Sequence, residues 1–163
     1  GSLGQGFSAA SGIALGNRVK GIPAYTYSII GDGESQEGQI WEAAEFAGAQ
    51  GLDHFIAFLD LNAQQLDGYT KDIIPETKEA MIERWKSFGW DVYSINGHSF
   101  EEIDQAVKSA KSSGSHRPQM IILNTIKSYG YIPGEGIKAN HSMPISKEAA
   151  EQAIEELIKR EGR

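Results

Sequence analysis

The sequence predicts an α/β fold: an open, mainly parallel sheet with helices on both faces. Three observations predict it. Apolar runs rich in β-branched and aromatic residues alternate with helical stretches along the chain, which is the βαβ rhythm of a parallel sheet. Two of those runs end in polar turns, Gly31-Asp32-Gly33-Glu34 and Asp60-Leu61-Asn62-Ala63-Gln64, and open sheets bind ligands outside the carboxyl ends of their strands. Finally, 163 residues suffice for one domain with a genuine core and hardly for two. A single domain over residues 1–163 is expected.

Each element follows from local pattern. Leu3 to Val19 carries small and apolar residues on a helical period, suited to close packing on a sheet. Tyr25 to Ile30 reads as a strand, a helix follows near Glu37 to Gln50, and His54 to Leu61 is the next strand. The crossover should be right-handed. Asn62 to Pro75 is polar and punctuated by Gly68 and Pro75, so it reads as a functional loop. Thr77 to Phe88 is an amphipathic helix burying Met81, Ile82, Trp85 and Phe88. Asp91 to Ile95, Phe100 to Ser112 and Gln119 to Thr125 repeat strand, helix, strand. Lys127 to Met143 is a glycine-bearing loop, and Ser146 to Arg160 a charged terminal helix.

Composition excludes several classes. A net charge of -7 without a basic cluster argues against a nucleic-acid surface. The absence of cysteine rules out disulfides and thiolate chemistry and fits a cytoplasmic protein. No apolar run approaches the ~20 residues needed to cross a bilayer, and no signal peptide opens the chain. Gly1, Gly4 and Gly6 imitate a dinucleotide fingerprint, but no strand precedes them and no acidic ribose ligand follows.

Asp32 and Asn62 carry the chemistry. Magnesium takes near-octahedral oxygen coordination from one or two protein groups and completes its shell with phosphate and water. Two oxygen ligands at neighbouring strand ends would suit a Mg²⁺ ion on a diphosphate. Gly31 and Gly33 permit close backbone approach, and Ser35 is placed to cap a helix whose amino end favours phosphate. The plainer alternatives are a turn carboxylate bonded to its own backbone at Asp32 and a strand-terminal cap at Asn62.

The run from Gly31 to Ala44, Gly-Asp-Gly-Glu-Ser-Gln-Glu-Gly-Gln-Ile-Trp-Glu-Ala-Ala, resembles the thiamine-diphosphate signature of transketolases. Asp60-Leu61-Asn62 through Leu66-Asp67-Gly68 is similar to that signature's closing half. Gly1-Ser2-Leu3-Gly4-Gln5-Gly6, Phe88-Gly89-Trp90 with Asn96-Gly97-His98, and Pro118-Gln119-Met120 with Thr125-Ile126-Lys127 fit in the same order. The resemblance spans nearly the whole chain and places Gly1 well inside the family's pattern. It implies a diphosphate-binding domain incomplete at its amino terminus, lacking about a hundred residues by the usual size of such domains.

The resemblance also implies roles. Asp32, Asn62 and the backbone carbonyl of Gln64 would hold Mg²⁺, and Gly33 would place its N–H on the diphosphate. Leu66 matches the residue packed on the thiazolium, and Gly1 and Leu3 match the segment approaching the aminopyrimidine. Glu37 matches a glutamate near the subunit interface, linked to the partner's cofactor-activating glutamate. His141 matches a late histidine reaching the diphosphate and the substrate oxygens. His98 is read as structural, Lys127 as a loop lysine, and Glu34, Glu42 and Glu45 as solvated. The implied partner is a carboxy-terminal transketolase subunit or domain that holds the aminopyrimidine, in a homo- or hetero-oligomer acting on sugar phosphates. Deoxyxylulose-phosphate synthase and 2-oxo-acid dehydrogenase components share the two-ligand spacing, and a non-catalytic scaffold subunit is the alternative outside that chemistry.

Overall fold

The computed structural model describes residues 2–66, 68–138 and 140–162. Its central sheet has four parallel strands, β1 (Thr26–Gly31), β2 (Phe55–Leu61), β5 (Asp91–Asn96) and β6 (Gln119–Asn124), in the order β1-β2-β6-β5. A two-residue hairpin, β3 (Gln64–Gln65) with β4 (Gly68–Tyr69), stands apart from it. The helices are α1 (Gln5–Val19), α2 (Gly38–Ala49), α3 (Thr70–Ile73), α4 (Lys78–Ser87), α5 (Phe100–Ser112) and α6 (Lys147–Glu161). The predicted α/β sheet with helices on both faces is therefore the observed architecture. The segment read as a loop from Asn62 to Pro75 instead contains the hairpin and α3. Elements this short carry too few residues to show a period.

The two faces of the sheet are unequal. One packs against α1, α2 and α4, where Phe7, Ala44, Phe55, Trp85, Trp90 and Ile122 belong to a single buried cluster. Phe7 lies 5.3 Å from the Phe55 ring and 5.9 Å from Trp85 and Trp90, within the range of favourable aromatic pairing. The Trp90 indole donates to the Ala44 carbonyl at 2.9 Å, meeting the polar need of a buried tryptophan. Gly48 lets α2 approach the chain closely: a Cβ there would sit 1.7 Å from the Phe88 carbonyl oxygen. The opposite face is covered by α5, with Ile56, Ala106, Ala110 and Ile121 buried together. On β1 that face stays open, with Ile29 71% exposed.

Side-chain caps start three helices. Thr77 accepts from the Ala80 amide, Ser99 from Glu102 and Ser146 from Ala149. Strand β2 is buried on both sides, as a central parallel strand must be. Its register sets the functional edge, because Gly31 pairs with Asp60 and Leu61 with Asn124. Asp32, Asn62 and Thr125 are thus the residues that leave the sheet side by side.

Candidate functional site

The turn after β1 is built by its own polar groups. Asp32 donates its amide to the Asp60 carbonyl at 3.1 Å, which carries the ladder one step past the strand. Its carboxylate Oδ1 accepts the Gly33 amide at 2.8 Å. Ser35 is buried and donates its hydroxyl to the Asp32 carbonyl at 2.6 Å. Ser35 therefore closes the turn and does not cap α2, whose N-cap residue is Glu37, with no side-chain cap bond. A 3-10 turn at Glu34–Gln36 separates the two.

Asp32 is 3% exposed, and its Oδ2 has no hydrogen-bond partner. A buried unpaired carboxylate oxygen is costly. Burial pushes the Asp32 carboxyl up from its ordinary 3.8 to about 6, the Gly33 and Ala63 amides pull it back, Asp60 adds to the rise, and Lys127 opposes it. Asp32 lines a small pocket of about 50 Å³ with Ser35, Gln36, Thr70, Glu76 and Arg84.

Asn62 sits just beyond β2 and is fixed at both ends of its amide. Nδ2 donates to Asp60 Oδ2 at 2.9 Å, and Oδ1 accepts the Gln64 amide at 3.0 Å. Asp60 Oδ1 takes the Thr125 hydroxyl, so neighbouring strand ends are stitched through one carboxylate. Ala63 adopts a left-handed conformation, φ 62°, that turns the chain into the hairpin. The hairpin then packs on the Asp32 turn: Gln36 Nε2 donates to Gln65 Oε1 at 2.7 Å, and a Cβ on Gly33 would lie 2.6 Å from the Gln65 Cβ. Gly33 is thus required by space. Gln64 is buried, whereas Leu66 on the hairpin turn is 67% exposed.

The other wall of the site comes from the chain after β6. An open cleft of about 500 Å³ is lined by Ile29, Asp60, Asn62, His98, Thr125 and Lys127, among others. Lys127 Nζ stands 3.2 Å from His141 Nδ1. An ammonium only donates, so this nitrogen accepts and the hydrogen of a neutral ring sits on Nε2. His141 is exposed, held next to Asn140, which is buried and donates to the Gly134 carbonyl at 2.6 Å.

Of the residues singled out in the sequence, Asp32, Gly33, Asn62 and Gln64 converge through the hairpin and the ladder. Asp32 and Asn62 nonetheless face different cavities, joined through Asp60. Glu37 is exposed at the start of α2. Leu3 is 51% exposed, its carbonyl accepting from Gln39 Nε2 at 2.7 Å. Neither leucine, Leu3 nor Leu66, is a core residue. Gly1 lies outside the described residues.

One reading changes. Glu34 is a half-buried clamp: its carboxylate accepts the Gly4 amide at 2.9 Å and the Gly31 amide at 3.2 Å, tying the start of α1 to the end of β1. Its placement three residues after Gly31 is the only local signal of that role. Lys127, read as a loop lysine, and His98, read as structural, both line the open cleft. Among the described residues no group of three His, Cys, Asp or Glu is arranged to hold a metal ion. The oxygen set at hand is one carboxylate with amide and backbone oxygens.

Residues 1–159 match the family described as "Transketolase, thiamine diphosphate binding domain". The chain belongs to this transketolase family. Its transketolase relatives include the 6-deoxy-6-sulfo-D-fructose transketolase subunit of Clostridium sp. (strain MSTE9), 52% identical over 98% of this chain and 57% of the relative. An apulose-4-phosphate transketolase subunit of Phocaeicola vulgatus is 35% identical over 98% of this chain and 56% of its own length. The chain thus spans just over half the length of these two relatives. The crystal structure of transketolase from Campylobacter jejuni superposes with a TM-score of 0.88 at 33% identity, over 96% of this chain and 25% of that one.

Proposed function

We propose that this domain is the diphosphate- and magnesium-binding half of a thiamine-diphosphate-dependent transketolase, transferring a two-carbon ketol unit between sugar phosphates once a pyrimidine-binding partner completes the site. The observation that carries this reading is the orphaned Asp32 Oδ2, a buried carboxylate oxygen left without a partner in a thiamine diphosphate-binding family, with Asn62 leaving the neighbouring strand at the same sheet edge. A hard divalent cation suits that oxygen and relieves the cost of burying it.

The residues fit the group. Asp32, the Asn62 side-chain oxygen and the Gln64 backbone carbonyl would hold Mg²⁺. Asn62 Oδ1 has a second lone pair beyond the one given to the Gln64 amide. The Lys127 ammonium keeps N–H groups for the diphosphate beyond its contact with His141, whereas the Gly33 amide already donates to Asp32 Oδ1 and would reach the diphosphate only on releasing it. Thiamine diphosphate, when bound, supplies carbanion stabilisation.

The chain's own residues do the remaining work. His141, kept with hydrogen on Nε2 by the ammonium at Nδ1, can donate to a substrate oxygen as negative charge develops. Glu37, exposed at the amino end of α2, would meet a carboxylate of the partner and pass a proton between sites. Leu3 and Leu66 offer the exposed apolar surface that cofactor and partner would cover.

The relative with 52% identity is named for a sulfonated sugar, which supports a second reading in which the ketol donor is a 6-deoxy-6-sulfo ketose. Calorimetric titration of thiamine diphosphate with and without Mg²⁺ tests the half-site, with Asp32→Asn as control. Heat that needs Mg²⁺ and vanishes in the variant is the expected result. Unchanged binding in the variant would overturn it. Assays after reconstitution with a carboxy-terminal partner, comparing phosphorylated with sulfonated ketoses and with pyruvate, separate the substrate readings.

A further inference from the structure

We propose that His98 is a positioning residue: its ring clamps the backbone on either side of Lys127 and so sets where that ammonium stands in the cleft. His98 Nε2 accepts the Ile126 amide at 2.8 Å, one residue before Lys127. The same ring stacks on Tyr129 with centroids 3.9 Å apart and planes 20° from parallel, two residues after it. A single imidazole therefore brackets the lysine.

The bracket is needed because the sheet has ended. The last ladder bond from β6 is the Thr125 amide to the Leu61 carbonyl at 3.3 Å. Ile126 is the next residue, and the bond from its amide goes to His98. Beyond Lys127 the chain bends sharply, with Ser128 in the left-handed region at φ 63°, a conformation that persists only when its surroundings hold it.

His98 is itself placed with little freedom. Its amide donates to Asn96 Oδ1 at 3.0 Å. Gly97 lets this turn press on the end of β6, since a Cβ there would lie 2.4 Å from Thr125 Cγ2 and 2.9 Å from the Leu123 Cβ. The far side of Tyr129's neighbourhood is tied to the terminal helix: the Arg160 guanidinium lies 4.4 Å from the Tyr129 centroid and 2.7 Å from Glu135, which accepts the Gly130 amide at 2.8 Å. The clamp links α6 to the cleft through side chains.

The clamp is built from this chain alone. Its consequence for ligand binding rests on the diphosphate reading above, and two readouts keep them apart. The first is hydrogen exchange of the Ile126 amide in the cofactor-free protein. His98→Phe retains a ring for Tyr129 but no acceptor, and His98→Asn places its oxygen short of the Nε2 position; each should speed exchange about 10-fold, whereas His98→Gln, whose oxygen reaches that position, should stay within about 3-fold of wild type. Having two variants without the acceptor guards against either failing to fold.

The second readout is affinity for inorganic pyrophosphate with Mg²⁺. His98→Phe should weaken it about 10-fold, His98→Gln should restore it, and Lys127→Met should add little in the His98→Phe background, because both changes remove one interaction. Unchanged Ile126 protection in His98→Phe, no rescue by glutamine, or full additivity with Lys127→Met would overturn the proposal. If wild-type protein binds neither Mg-pyrophosphate nor thiamine diphosphate, the diphosphate reading fails, and Ile126 exchange still decides the clamp.

Discussion

Asp32 and Asn62 stand at the ends of neighbouring strands, while Lys127 and His141 stand on the long connection between β6 and α6. The first pair is positioned by backbone register: Gly31 opposite Asp60 and the Asp32 amide on the Asp60 carbonyl leave little choice of place. The second pair depends on side chains brought from far along the sequence, among them His98 and, through Glu135, Arg160. A parallel sheet therefore positions one half of the candidate site through its ladder. Side-chain contacts position the half on the loop.

The comparison breaks most visibly at Asp32. Asp32→Asn should abolish Mg²⁺-dependent thiamine diphosphate binding, a loss of about 100-fold or more in titration calorimetry, because the only charged oxygen of the set is gone. The same variant should be more stable than wild type without cofactor. Rising from 3.8 to about 6 places about 3 kcal/mol against the ionised form, at ~1.4 kcal/mol per tenfold. The folded value lies above the unfolded one, so this stability is present below about pH 4 and lost as the pH climbs through about 6. Thermal unfolding of the free protein at pH 4 and pH 8 should show wild type falling relative to Asp32→Asn, with Mg²⁺ and thiamine diphosphate reversing the order.

Space supplies the next effect on the rigid side. Gly33→Ala would drive its Cβ onto Gln65 and should cost about 1–3 kcal/mol in chemical denaturation. Adding Gln65→Gly should recover most of it. If the double variant is no better, the hairpin is not what presses on the turn. Glu34→Gln should cost about 1–2 kcal/mol, since two amides lose a charged acceptor.

Smaller changes are expected on the loop side. Lys127→Met should weaken thiamine diphosphate by about 10-fold with the melting temperature nearly unchanged, and the remaining affinity should depend less on salt. Arg160→Met removes a partly exposed ion pair and should shift global stability by no more than about 1 kcal/mol. A larger effect of Arg160→Met than of Gly33→Ala would invert the division between rigid and adjustable halves.

Legibility follows the same division. Strands, helices and the Gly-Asp-Gly turn are readable because each rests on neighbours a few residues away, so periodicity and turn chemistry report them directly. The bounds of α5 and the partition of β1 and β2 around Asp32 follow from such local pattern. Ser35 misleads because two local bonds compete for a turn hydroxyl, and the Asp32 carbonyl takes it. The hairpin and α3 look like loop because Gln65 packs on Gly33 through a contact that no window of sequence contains.

By itself the sequence determined the α/β class, the family and the pair of oxygen-bearing side chains at one sheet edge, because these depend on local pattern and on motifs with fixed spacing. Only the tertiary structure decided that Glu34 bridges Gly4 and Gly31, that Asp32 Oδ2 is buried without a partner, and that the His98 ring accepts the Ile126 amide beside Lys127. Those facts depend on which distant groups burial brings together. A buried polar atom must be satisfied by whatever the fold places next to it, and that neighbour is chosen in three dimensions.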